Sequence, residues 1–184
     1  MYYEKESKKA RRHAIRYLVY RDRSRHEITC YLKGKGFSAN AVGEALAFLE
    51  DNDYVNDPRF ALQFGRSRIE NKKVGKLRLE RELKAKGLES ATISGALNSL
   101  YEEFNERKIA MVCAKKKLKT SSSNDIKKAR GRLAKFIERK GFASSLVYQM
   151  VTQSTRSVSN NDLIPSLPLI GKQHEKTVYP HSQD

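Results

Sequence analysis

The sequence predicts an all-α protein built as three tandem three-helix repeats in an elongated, curved array. Three observations carry this prediction. A helix-stop signal recurs as Leu32-Lys33-Gly34-Lys35-Gly36-Phe37, Leu83-Lys84-Ala85-Lys86-Gly87-Leu88 and Ile137-Glu138-Arg139-Lys140-Gly141-Phe142. The final glycines stand 51 and 54 residues apart, a period typical of arrays of small units and not of one large core. Aligning the glycines also aligns apolar positions: Ile28, Leu79 and Leu133 eight before, Leu32, Leu83 and Ile137 four before, Val42, Ile93 and Val147 six after, and Leu46, Leu97 and Val151 ten after. Spacings of four put these side chains on one helical face on either side of each turn.

The stop has a physical content. A glycine just past a helix end takes the left-handed conformation, and the next residue folds back toward the residue four before the glycine. This pairs Phe37 with Leu32, Leu88 with Leu83 and Phe142 with Ile137. Each unit therefore has one helix ending at its glycine and another beginning just after it.

A further helix precedes each pair. In unit one it covers about residues 5–21, through Ala14, Ile15, Tyr17, Leu18 and Val19. In unit two it covers about 58–71, through Phe60, Ala61, Phe64 and Ile69, with Asp57-Pro58 opening it and Pro at the first helical position. In unit three it covers about 101–118, through Ile109, Met111, Val112, Cys113 and Leu118. Middle helices start on Ser24-Arg25-His26-Glu27, a capping box, and on Gly75 in the same register. Unit three offers Ser123-Asn124-Asp125, one turn earlier. The units are 1–52, 53–100 and 101–152. Residues 153–184 hold Pro165, Pro168 and Pro180 and read as a disordered tail. Its Pro165-Ser166-Leu167-Pro168 fits a proline-rich ligand pattern that many tails share.

The 184 residues carry a formal charge of +16, which points to an anionic partner and says nothing of the fold. The charge is uneven. Residues 107–140 hold thirteen Lys or Arg against two acids, and 1–25 and 66–86 each hold nine against three. In the middle helix of unit three, Lys128, Arg132, Lys135 and Arg139 fall at i, i+4, i+7 and i+11, opposite Ile126, Leu133 and Ile137. Arg78 and Arg81 keep that register in unit two; Glu27 and Cys30 replace it in unit one. With Lys115, Lys116, Lys117, and then Lys72, Lys73 and Lys76, these residues form the candidate anion-binding set. The helix dipole alone accounts for the lysine before each glycine, Lys35, Lys86 and Lys140. Phe136 and Phe142 align with core positions, so the basic segments offer little base stacking.

Catalytic chemistry is not in evidence. The chain has no phosphate-binding glycine loop, dinucleotide fingerprint or zinc-ligand pairing, so neither enzyme nor cofactor is expected. His13 and His26 lie among basic residues on helix surfaces, and Glu50-Asp51-Asn52-Asp53 reads as the polar joint between units one and two. Cys30 and Cys113 sit inside apolar helical patterns and read as reduced core residues of a cytosolic protein. No apolar run is long enough to span a membrane, and the first nine residues lack a secretory signal's apolar centre.

The motifs Arg23-Ser24-Arg25-His26-Glu27-Ile28, Leu32 through Gly36-Phe37, Asn56-Asp57-Pro58-Arg59-Phe60-Ala61, and Gly75 followed by Glu82-Leu83-Lys84-Ala85-Lys86-Gly87 resemble the bacterial RecX regulatory proteins. The third Lys140-Gly141-Phe142 fits their last unit. The resemblance covers about residues 10–151; the tail lies outside it. It implies a monomeric cytoplasmic protein that binds the RecA–single-stranded DNA filament in its groove and modulates RecA, most often by limiting filament growth or activity. Lys128, Arg132, Lys135, Arg139 and the other basic residues above would then dock electrostatically on DNA phosphates or acidic RecA surfaces. The alternative is a helical nucleic-acid-binding protein with no RecA partner, although no helix N-terminus carries a base-reading set.

Overall fold

Each stop glycine terminates its helix as anticipated, and the rest of the architecture is spaced from these turns. The computed structural model describes residues 2–120 and 126–159, and among them there are nine α-helices and no strand. Unit one holds α1 (Tyr2–Leu18), α2 (Arg25–Gly34) and α3 (Ala39–Asp51). Unit two holds α4 (Asp57–Ser67), a π-helical turn over Arg68–Lys72, α5 (Lys76–Ala85) and α6 (Ser90–Glu103). Unit three holds α7 (Glu106–Lys119), α8 (Ile126–Arg139) and α9 (Ser144–Ser159). Helix-on-helix packing lies mainly within each unit: α1 on α3, α4 on α6, and α7 and α8 on α9.

Gly36, Gly87 and Gly141 take φ of 83°, 75° and 84°. The first two turns make the paired bonds of a left-handed helix cap. Gly36 N–H donates to the Lys33 carbonyl at 3.0 Å and Phe37 N–H to Leu32 at 3.3 Å. Gly87 donates to Lys84 at 2.9 Å and Leu88 to Leu83 at 3.5 Å. Gly141 repeats the inner bond, to Glu138 at 2.8 Å.

The capping box at Ser24 is complete. Its hydroxyl accepts from Glu27 N–H at 3.1 Å, and the Glu27 carboxylate accepts from Ser24 N–H at 3.3 Å. Gly75 caps α5 without a side chain. Asn56 and Asn105 cap α4 and α7, accepting from Arg59 and Lys108 N–H at 2.9 and 3.0 Å. Pro58 therefore stands at the second helical position of α4, one later than its sequence pattern indicated, because Asn56 is the better oxygen acceptor for the cap.

The aligned apolar residues form two cores. Ile28, Leu32, Val42, Leu46 and Leu49 build the unit-one core with Ala10 and Ala14 of α1. Leu79, Leu83, Ile93, Leu97, Leu133, Ile137, Phe142 and Val147 belong to one continuous core shared by units two and three.

Other boundaries differ from the sequence reading. α1 starts at Tyr2 and ends at Leu18, leaving Val19 and Tyr20 on an exposed turn. The stretch read as the end of α4 widens into the π-helical turn and stops at Lys73, whose φ of 52° and ψ of 53° are left-handed. α6 runs to Glu103, past the expected unit boundary at residue 100. α9 continues to Ser159, so residues 153–159 are helical instead of tail; residues 160–184, and the Ser123-Asn124-Asp125 start of α8, lie outside the described residues. Cys113 is buried but Cys30 is exposed, its Sγ 3.4 Å from His26 Nε2, because α2 turns Ile28 and Leu32 inward and Cys30 falls on the opposite side.

Candidate nucleic-acid interface

The units meet through a repeated joint, and this joint gathers part of the basic set. The first amides of a helix have no intrahelical acceptor and must be capped from elsewhere. In α2 and α5 the next unit supplies the acceptors. Arg25 N–H donates to Asp57 Oδ1 at 2.8 Å, and Lys76 N–H donates to Glu106 Oε1 at 2.8 Å. Asp57 and Glu106 are each the first residue of the following unit's first helix, directly after its Asn cap. Ser24 Oγ donates to the Lys86 carbonyl at 2.6 Å, and Gly75 N–H donates to the Lys140 carbonyl at 2.8 Å. Leu77 N–H adds a bond to the Gly141 carbonyl at 3.0 Å. The carbonyl end of one stopped helix thus faces the amide end of another, a favourable arrangement of helix dipoles.

The lysines before Gly87 and Gly141 also reach across. Lys86 Nζ binds Glu27 at 2.7 Å, and Lys140 Nζ donates to the Lys72 carbonyl at 2.6 Å. They are joint anchors, a role beyond the helix-dipole preference that their position alone indicates. Lys35 instead sets its ammonium 5.7 Å from the Tyr31 ring.

Three successive carbonyls of the turn between α4 and α5 are also capped. Lys72 accepts from Lys140, Lys73 from the Cys113 thiol at 3.6 Å, and Val74 from the Tyr101 hydroxyl at 3.0 Å. Burial pushes the Cys113 thiol up, against the pull of the nearby ammonium groups of Lys140, Lys73 and Lys116. Cations of the π-helical turn, α7 and the α8 stop therefore cluster around one joint. Lys117 and Lys140 both approach the half-buried Phe136 ring, at 5.8 and 5.6 Å. Phe136 thus packs against the shared core and also offers its ring to cations.

The predicted basic residues fall into three groups. Lys128, Arg132, Lys135 and Arg139 are exposed along α8, and the side chains of Arg132, Lys135 and Arg139 carry no ion pair among the described residues. Leu133 and Ile137 face inward from the same helix. Lys115 and Lys116 are exposed on α7, and Lys72 is exposed on the turn, while Lys73, Lys76 and Lys117 are half-buried. Arg78 has a structural engagement: its guanidinium binds Glu82 at 2.8 Å and the Arg139 carbonyl at 3.2 Å. Glu82 also holds Arg68 at 2.5 and 2.7 Å, and these two arginines outweigh burial to keep its carboxyl below the usual range. Arg81 is exposed and returns Nε to the Leu77 carbonyl of its own helix at 3.2 Å.

Lys140 was not in the candidate set, although it joins Lys72 to the stop of α8. The signal that could have found it is the period itself, since Lys86 and Lys140 occupy one register. Asn56-Asp57 and Asn105-Glu106, 49 residues apart, are a second repeated signal that marks the joint. Among the described residues no group of three or more His, Cys, Asp or Glu side chains could hold a metal, and no helix is long and apolar enough to cross a membrane.

Residues 10–49 match the model of the first three-helix domain of RecX, and residues 56–97 match that of the second. The chain is 32% identical over 165 residues to the regulatory protein RecX of Listeria monocytogenes serotype 4a, covering 90% of this chain and 60% of that protein. It is 32% identical over 151 residues to the regulatory protein RecX of Bacillus subtilis strain 168, covering 82% and 57%. The chain thus spans about 60% of the length of such curated relatives. The crystal structure of RecX from Lactobacillus salivarius superposes with a TM-score of 0.73 at 20% identity, covering 83% of this chain and 99% of that one. A second crystal structure, of regulatory protein RecX, gives 0.70 at 23% identity, covering 82% and 73%. These likenesses show the fold. Two matched domains in order, the glycine-stopped units, and similarity along nine-tenths of the chain agree: the chain belongs to the RecX family.

Proposed function

We propose that the chain is a regulatory protein of the RecA–single-stranded DNA filament, docking in the filament groove and limiting filament extension and ATP turnover without catalysing a reaction. The observation that carries this reading is the α8 stripe on a RecX-family fold. Arg132, Lys135 and Arg139 are exposed and unpaired, and an exposed cation without a partner is available to a phosphate or an acidic surface. Lys128 continues the row, and the joint cluster of Lys72, Lys73, Lys116 and Lys140 extends the positive surface. Lys115, Lys117, Lys76 and Arg81 contribute charge around it, while Arg78 holds the joint in place. A protein seated across neighbouring RecA subunits as a monomer in the cytoplasm would impede subunit addition or entry of a homologous duplex.

The test is ATP hydrolysis by RecA on single-stranded DNA, titrated with this protein. Turnover should fall well before the DNA is coated. The joint charge reversal of Arg132, Lys135 and Arg139 should weaken that effect at least tenfold, leaving the melting temperature unchanged because all three side chains are exposed. Loss of turnover only at DNA saturation would instead indicate competition for DNA with no RecA partner. Undiminished inhibition by the reversed protein would remove the α8 assignment.

A further inference from the structure

The outer face of α1 carries cations that the fold does not use. Lys5, Lys9, Arg12 and Arg16 fall at i, i+4, i+7 and i+11; all are exposed, and none is hydrogen-bonded or ion-paired among the described residues. This is the spacing of the α8 stripe, built independently on another helix. α1 turns Ala10 and Ala14 into the unit-one core, with Tyr17 and Leu18 packed against it. Glu6 faces α3 instead of the stripe, accepting from the amide and hydroxyl of Ser38 at 2.9 and 2.8 Å. Arg11 lies over the Phe48 ring, 4.8 Å from its centre. At the far end Ile15, Val19 and Tyr20 stand open, with Tyr20 85% exposed. Asp22 lies beyond the helix.

Eleven residues at 1.5 Å each make the row about 16 Å long. A flexible single strand can lay successive phosphates along a row of that length. A line of free cations ending at an exposed aromatic ring combines a phosphate track with a stacking platform. Duplex bases are already stacked and offer Tyr20 no partner. An acidic protein surface would use the cations but not the ring. We infer that the outer face of α1 is a contact for single-stranded nucleic acid, with phosphates along Lys5, Lys9, Arg12 and Arg16 and a base against Tyr20. This contact is separate from the α8 stripe and requires no RecA.

The experiment is fluorescence anisotropy of a labelled twenty-nucleotide oligothymidylate with the full chain, without RecA, across a salt series. Joint replacement of Lys5, Lys9, Arg12 and Arg16 by Gln should lower affinity at least tenfold and flatten the log–log salt slope by about 3, at about 0.7 per phosphate. Tyr20→Ala should cost about fivefold or more and leave the slope unchanged. Both variants should melt like the parent protein, since the five side chains are exposed. Both effects should persist on the background of the reversed α8 stripe, so this contact can fail while the RecA reading survives, and the reverse. Unchanged affinity and slope in the quadruple variant would overturn the inference. So would binding of polyglutamate or duplex DNA as tight as that of the oligothymidylate, together with no effect of Tyr20→Ala.

Discussion

Gly75, Gly87 and Gly141 show what single positions demand in this chain. Gly75 has an ordinary φ of −88°, and by capping preference alone Gly75→Ser should stabilise α5, as Ser24 does α2. The structure reverses that expectation, because a Cβ at Gly75 would lie 2.5 Å from the Gly141 carbonyl oxygen. Gly75→Ser should therefore lose about 1–3 kcal/mol in chemical denaturation. The stop glycines differ in their surroundings. Gly36 has open space around it, so Gly36→Ala should cost only the left-handed backbone penalty of about 1–2 kcal/mol. Gly87→Ala meets Cβ and Cγ of His26, and Gly141→Ala meets Cβ and the backbone of Arg78; both sets of atoms are held close to the main chain and no rotamer change clears them. Gly36 should lose least, and Gly87 and Gly141 should each lose more, about 2–5 kcal/mol. Sequence legibility also divides at this scale. The left-handed glycines could be read because a helix end leaves a local mark. The tightness around Gly75 could not, since its neighbour is 66 residues away.

Among the elements, the junction of α2 with unit two holds a carboxyl that couples stability to acid. Burial alone would raise the Glu27 carboxyl, but hydrogen bonds from Arg21, Lys86 and the Ser24 amide outweigh it and hold the group at about 2. A lowered carboxyl contributes its full stability above the ordinary value of 4.5 and loses it as pH falls toward about 2. Asp57 works in the opposite sense: burial raises its carboxyl, so protonation relieves a cost as the medium is acidified. Glu27→Gln should lower stability by about 1–2 kcal/mol at neutral pH and flatten the acid limb of the stability profile below pH 4.5. Denaturant midpoints measured from pH 7 to 2 would check this. The capping box was plain in Ser24 and Glu27, but the tie from Lys86 to Glu27 was not, because it depends on how two units dock. The π-helical turn after α4 left no recognisable periodicity; its tertiary partners, Lys140, Cys113 and Tyr101, override the local helical pattern.

Across the whole molecule the two joints differ in kind. Units two and three share a continuous apolar core, whereas unit one has its own and meets unit two through Ser24, Arg25, Glu27, Asp57 and Lys86. Polar contacts of this sort stabilise less than shared apolar burial. Unit one should therefore open before the others. Native-state hydrogen exchange should show the amides of Ile28 and Leu32 released at a lower free energy than those of Leu79, Leu83, Leu133 and Ile137. A single opening free energy across all three units would contradict this. The period and the apolar alignment made the three-unit organisation legible in advance. The unequal joints were not, because Leu32, Leu83 and Ile137 look interchangeable in sequence and only their packing partners separate them.

The acid-to-amide coupling that fastens Asp57 to Arg25 and Glu106 to Lys76 makes this architecture directional and modular. Each module offers a socket at one end and a plug at the other, so the reach of such a protein grows in discrete steps instead of continuously. A cassette carrying the Asn-acid opening and the Lys-Gly ending could be spliced between units one and two, whose contact is polar and whose cores are separate, and it should lengthen the ruler by one notch.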